Sequence, residues 1–143
     1  MKAAQGRFKD KHPLGLQADP AIVQAVEERL INGMITCADA TDIADDLHKT
    51  MQQIGLVLDL LEVSLSKCQL GLFGYDPQKK IVKPATSVVK EMETAITKKL
   101  VNGRLSCDAG WKIALELALP KLTVSSACEA MKIKIKPCQL GAF

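Results

Sequence analysis

The sequence predicts a mainly α-helical chain with short β segments, an α+β fold made of two tandem copies of one unit, and three observations carry that prediction. Residues 21–73 lie over residues 91–143 at a constant offset of 70 without a gap, and 13 of these 53 positions are identical. Unrelated sequences of ordinary composition would share roughly three or four. Each copy passes through stretches of helical apolar spacing bounded by capping residues. Each then ends on alternating apolar and polar residues that run into the same string, Cys-Gln-Leu-Gly-x-Phe, at 68–73 and 138–143.

The first helix of a copy opens on Asp19 as N-cap and Pro20 at the first helical position, with Ile22, Val23, Val26 and Leu30 on one face and Gly33 as its stop. Its counterpart runs from about Ser87 to Asn102, with Val88, Met92, Ala95, Ile96 and Leu100 apolar and Gly103 as the stop. Two or three extended residues follow, Met34-Ile35-Thr36 or Arg104-Leu105-Ser106. A short helix comes next, capped by the hydroxyl of Thr36 or Ser106, with Ala40, Ile43, Ala44 and Leu47 facing inward in the first copy. A third helix starts after His48-Lys49, where Thr50 and Gln53 have capping-box spacing, or after Leu119, where Pro120 suits a first turn. Ile54, Val57, Leu58 and Leu61 mark its buried stripe. The closing stretches "VSLSKCQLGLF" and "IKIKPCQLGAF" alternate as edge-exposed strands do.

Helix, short strand, helix, turn, helix, strand is an order that resembles the winged helix-turn-helix unit. The resemblance implies a DNA-binding fold, with the third helix in the place of the recognition helix and the last strand at the base of a wing. The doubled Cys-Gln-Leu-Gly-x-Phe is also similar to a signature of a small, uncharacterised prokaryotic family. After Phe73, Asp76-Pro77 favours a turn, and Ile81-Val82-Lys83 is expected to return as the second wing strand. The domain reading is therefore a flexible basic tail (1–18), an acidic first winged-helix-like repeat with its wing (19–84) and a basic second repeat (85–143). The second copy has no comparable stretch after Phe143, so its strand edge is left bare, paired with the other repeat or paired with a second chain, and a homodimer is the expectation on that ground.

With 48% hydrophobic and 24% charged residues, the chain has the balance of a globular protein that folds without disulfide staples. No apolar run reaches the roughly 18 residues of a membrane span, and the first residues lack a secretory pattern, so a cytoplasmic location and no membrane partner are expected. The net charge of +3 hides an asymmetry. Residues 21–73 carry eight acids against three bases, whereas residues 91–143 carry eight bases against five acids.

Phosphates repel acidic faces, so duplex DNA is expected at the second copy. Lys121, Thr123, Ser125 and Ser126 begin its third helix, and Lys132, Lys134 and Lys136 alternate along its strand, which sets their amines on one side. Lys79 and Lys80, with Lys83 and Lys90, would supplement them from a wing tip, and Lys2, Arg7, Lys9 and Lys11 from an arm. Trp111 and Lys112 could add a stacking or backbone contact. The acidic second helix of the first copy, with Asp39, Asp42, Asp45 and Asp46, reads as a surface for a protein partner.

Cys37 with Cys68, and Cys107 with Cys138, fall at equivalent places in the two copies. They read as small buried apolar groups, with a redox pair in each copy as the functional alternative; no C-x-x-C spacing asks for a metal. Cys128, opposite Leu58 in the repeat, fits the core. His12 and His48 are expected on the surface. Neither a phosphate-binding glycine loop nor a nucleophile elbow nor a paired-histidine motif occurs, so no enzyme and no cofactor are expected. The function expected is that of a DNA-binding transcriptional regulator. The alternative is a protein-interaction or assembly module that keeps the fold without binding DNA.

Overall fold

The computed structural model describes residues 12, 15–75 and 78–142. The arm residues Lys2, Arg7, Lys9 and Lys11, the Asp76-Pro77 turn and Phe143 lie outside the described residues.

The chain divides into two compact units, Met1–Lys67 and Cys68–Phe143. The first contains α1 (Pro20–Glu27), β1 (Met34–Thr36), α2 (Cys37–Leu47), α3 (Met51–Leu60) and β2 (Ser64–Ser66). The second contains α4 (Lys90–Lys98), α5 (Cys107–Leu117) and α6 (Lys121–Ala130). The bounds of α5 and α6 are those of α2 and α3 moved by 70, and residues 101–110 and 121–130 repeat the burial pattern of 31–40 and 51–60 position for position. The described chain is thus mostly helical with a small parallel sheet, which is an α+β architecture.

Local chemistry sets the helix starts. The Asp19 carboxylate accepts from the Ala21 amide at 2.9 Å, and that bond, then Lys49 at 3.3 Å, holds its carboxyl below the usual range. Thr36 and Ser106 each accept from the amide three residues on, at 3.0 Å. Thr50 and Gln53 close the expected capping box, at 3.1 Å and 2.8 Å. Replacing Thr50 by Ala is expected to cost about 1 kcal/mol, since the hydroxyl satisfies an otherwise orphaned amide. Urea denaturation that leaves the midpoint unmoved would contradict this.

Gly33 has a different part from the one expected. α1 stops at Glu27, and Asn32 and Gly33, with φ of 54° and 75°, form a two-residue turn across which Ile31 and Met34 exchange backbone bonds of 2.9 and 3.0 Å. Gly33 supplies positive φ to that turn and caps no helix. Asn102 and Gly103 do the same between Val101 and Arg104, and α4 begins at Lys90, later than Ser87.

β1 pairs with β2 in parallel, Met34 opposite Ser64, Ile35 opposite Leu65 and Thr36 opposite Ser66. In the second unit the pairing contracts to one parallel bridge, Leu105 with Ile135. The expected return strand at 81–83 does not form. The Ile81 and Val82 amides instead both donate to the Gly71 carbonyl, at 2.9 and 3.1 Å, so the segment folds back onto the repeated string as an irregular strap.

In the first unit α1, α2 and α3 pack on one another and bury Ile22, Val26, Ile35, Ile43, Ile54 and Leu58. Each such side chain contributes roughly 1.5–3 kcal/mol by leaving water. α4, α5 and α6 bury the equivalent Met92, Ile96, Leu105, Ile113, Val124 and Cys128. Leu70 and Cys68, which end the first copy in sequence, belong to this second core, and Leu70 is fully buried there. The boundary between compact units therefore falls at 67/68, ahead of the 84/85 boundary that the repeat suggests, because an apolar side chain goes to the core that can enclose it. Among the described residues no helix is long and apolar enough to cross a membrane.

Candidate nucleic-acid interface

The third helix of the second unit, α6, starts at Lys121 after Pro120, whose position at the N-cap leaves no side chain to accept from the first amides. Gln69, Gly71, Lys80 and Ala85 lie against it. Lys121 donates to Gln69 Oε1 at 3.2 Å and sits 4.5 Å above the Trp111 ring. Leu122 packs so closely against Gly71 that a Cβ built there would stand 2.6 Å from its Cδ1. The Ala85 amide donates to the Ser126 carbonyl at 3.0 Å, and Lys80 pairs with Glu129 at 2.9 Å.

These contacts correct several sequence-based assignments. Ser125 is fully buried, its Oγ without a hydrogen-bond partner among the described residues, so it cannot touch a groove. It occupies the position of Gly55 in α3, which is also buried. Ser126 is half-buried under the strap, and Thr123 alone of the four expected helix residues is fully exposed. Lys79 and Lys80 are exposed on the strap and form no wing tip, because among the described residues no hairpin carries them; Lys80 is committed to Glu129. Lys112 is engaged by Asp108 at 2.9 Å.

The lysine row after α6 is better preserved. Lys132, Lys134 and Lys136 are exposed while Ile133 is half-buried and Ile135 buried. Lys132 has φ 59° and belongs to the turn that ends the helix, so only Lys134 and Lys136 share the extended stretch. That stretch is pinned by two backbone bonds, Leu105 N to Lys134 O at 3.1 Å and Lys136 N to Leu105 O at 2.8 Å. Beside it a hollow of about 410 Å³ is lined by Val101, Asn102, Arg104, Ser106, Lys136 and Pro137. Arg104 is the residue that sequence reasoning missed. Its signal was available in the alternation around Leu105, which sends Arg104 outward with Ser106.

On the first unit Arg29 reaches across to α2, 3.8 Å from Asp39 and Asp42 and 3.5 Å from Asp46. The acidic face is thus partly neutralised from the turn that follows α1. His12 is half-buried and not a surface residue, with Nε2 2.8 Å from Asp59 Oδ2.

No disulfide joins the five cysteines. Cys37 and Cys107 are the first residues of α2 and α5, not strand residues; Cys68, Cys107 and Cys138 all belong to the second unit, where the Cys107 amide donates to the Pro137 carbonyl at 3.0 Å. Cys68 has Cys138 for a neighbour. Burial raises the Cys68 thiol above its ordinary range, and the nearby Cys138 adds to that. Burial also pushes Cys128 up to about 11. Thiols held this way are poor nucleophiles, and the two buried groups read as core. The Cys107 sulfur accepts from Gln139 Nε2 at 3.6 Å. Among the described residues no three His, Cys, Asp or Glu side chains gather to hold a metal ion.

No protein-family model matches this chain, and comparison with curated proteins and with solved structures finds no match.

Proposed function

We propose that the chain is a non-enzymatic DNA-binding protein of the transcriptional-regulator kind, built of two tandem winged-helix-like repeats, that holds duplex DNA by its phosphates through the second unit. The observation that carries this is the row Lys132, Lys134 and Lys136, exposed beside Arg104 with no ion pair to any of the four among the described residues. Cations that no carboxylate neutralises are what a phosphate backbone recruits, and each phosphate contact releases counterions. α6 is given no base-reading role, since Leu122 packs on Gly71, the Ser126 carbonyl accepts from Ala85 and Glu129 holds Lys80. Phosphate contacts position a protein on a duplex without specifying sequence.

The test is fluorescence anisotropy of the full chain with random-sequence duplex DNA across a salt series, beside the K132E/K134E/K136E variant. Wild-type affinity should fall steeply with salt, and the variant should lose binding. A residual affinity in the variant should have a salt slope shallower by roughly 2–3. Wild-type protein that fails to bind at low salt would sink the DNA reading.

A second reading, a protein-interaction or assembly module, is favoured by the covered α6 and by the Asp39, Asp42, Asp45 and Asp46 face. It would be left standing if DNA binding is absent.

A further inference from the structure

The parallel register of the first unit, moved by 70 residues, sets Arg104 opposite Lys134, Leu105 opposite Ile135 and Ser106 opposite Lys136. The Leu105–Ile135 bridge and its two hydrogen bonds have this register. Leu105 and Ile135 are buried, so the pleat turns Arg104, Ser106, Lys134 and Lys136 to the outer face together. The same four places in the first unit hold Met34, Thr36, Ser64 and Ser66, none of them charged.

The second unit has therefore gathered three cations on a face that the fold needs none for. Residues two apart on one extended strand are roughly 6–7 Å apart, and like charges directly opposite across two strands destabilise the pair. No ion pair joins these three to a carboxylate among the described residues, and Glu129, which lines a hollow with Lys134 and Lys136, is paired with Lys80 at 2.9 Å. Ser106 Oγ accepts from the Ala109 amide as the cap of α5, which leaves its own hydrogen to donate outward. The donors available are thus a guanidinium fork, two ammonium groups and a hydroxyl.

We propose that this outer face seats a phosphate group. A tetrahedral phosphate has enough oxygens to meet Arg104 bidentately and still accept from the two lysines and Ser106, whereas a planar carboxylate has two. Taking the phosphate from a nucleic-acid backbone rests on the DNA reading above; the chemistry of the seat does not.

The experiment follows backbone amide NMR signals of the full chain during titration with inorganic phosphate, with sodium chloride at matched ionic strength as reference. It is repeated on R104M/K134S, which carries the residues that the first unit already folds with. Saturable shifts confined to residues 104–106 and 134–136 in the wild type, lost in the variant, are expected. Shifts equal to those from chloride, or equal in the variant, would overturn the seat. Should that variant not fold, R104K keeps the charge and loses the fork: weaker phosphate shifts support the seat, and unchanged ones overturn it. A parallel anisotropy arm uses duplex DNA, where the variant should bind at least tenfold more weakly. Phosphate shifts without DNA binding would keep the seat, assign it to free phosphate and end the nucleic-acid reading. DNA binding undiminished in the variant would overturn the seat as a DNA contact and leave that reading to other residues, the seat itself being decided by the phosphate shifts.

Discussion

Replacing Leu70 by Ala should destabilise the second compact unit by about 2–5 kcal/mol, although Leu70 closes the first copy of the repeat. The side chain is fully buried in a core with Met92, Ile96, Leu105, Ile113 and Val124, and its Cδ2 lies within 3.9 Å of where a Cβ on Gly110 would be. Truncation removes the transfer free energy of the lost carbons and leaves a cavity that closely packed helices fill only in part. Native-state amide exchange reads the outcome by location. Protection should fall in α4, α5 and α6. Loss confined to α1, α2 and α3 would show that Leu70 serves the unit its sequence position implies.

The second large effect compares two glycines that sequence treats as equals. Gly71 and Gly141 have φ of 74° and 81°, and each amide closes the same turn onto the carbonyl three residues back, Cys68 or Cys138, at 2.9 and 3.1 Å. Alanine in that left-handed conformation costs roughly 1–2 kcal/mol at either place. At Gly141 a Cβ meets nothing within 4 Å, so the loss should stop there. At Gly71 it would stand 2.6 Å from Leu122 Cδ1 and 3.3 Å from the Val82 amide nitrogen. Leu122 can swing away, but the backbone nitrogen belongs to the strap and cannot without lengthening its bond to Gly71 O. Gly71→Ala is therefore expected to cost about 2–4 kcal/mol, with overpacking added to the conformational term. Equal urea midpoints for the two variants would contradict the close seat of Leu122.

What sequence made legible was chiefly local. Thr36, Thr50 and Ser106 cap helices through bonds that span three residues, and such bonds need no knowledge of the rest of the chain. α2, α3, α5 and α6 follow from those caps and from apolar spacing. Strand direction is different, because the pairing of Met34 with Ser64 joins segments 30 residues apart and alternation along each strand suits either direction. The expected return segment pairs with no strand among the described residues, and its Ile81 and Val82 amides bond to the Gly71 carbonyl. Ser125 was misplaced for a simpler reason. It lies three residues before Cys128 on one helix face, and the repeat aligns it with Gly55, so both spacing and size pointed inward. Arg104 was overlooked although alternation around Leu105 turns it outward, because the register that sets Lys134 opposite it joins segments 30 residues apart.

The Cys-Gln-Leu-Gly-x-Phe string that ends the first repeat begins the second folded body. The module that was copied and the body that encloses a core are thus cut from the chain at different points, as a tiling shifted against its own pattern. Such a duplication cannot easily be undone. A deletion that removed residues 19–84 cleanly, restoring a single ancestral copy, would also take away Leu70, Gln69 and the strap that closes over α6. Once the first string had been recruited in this way, the two copies would be retained together, and their surfaces would be free to diverge into one acidic and one basic face.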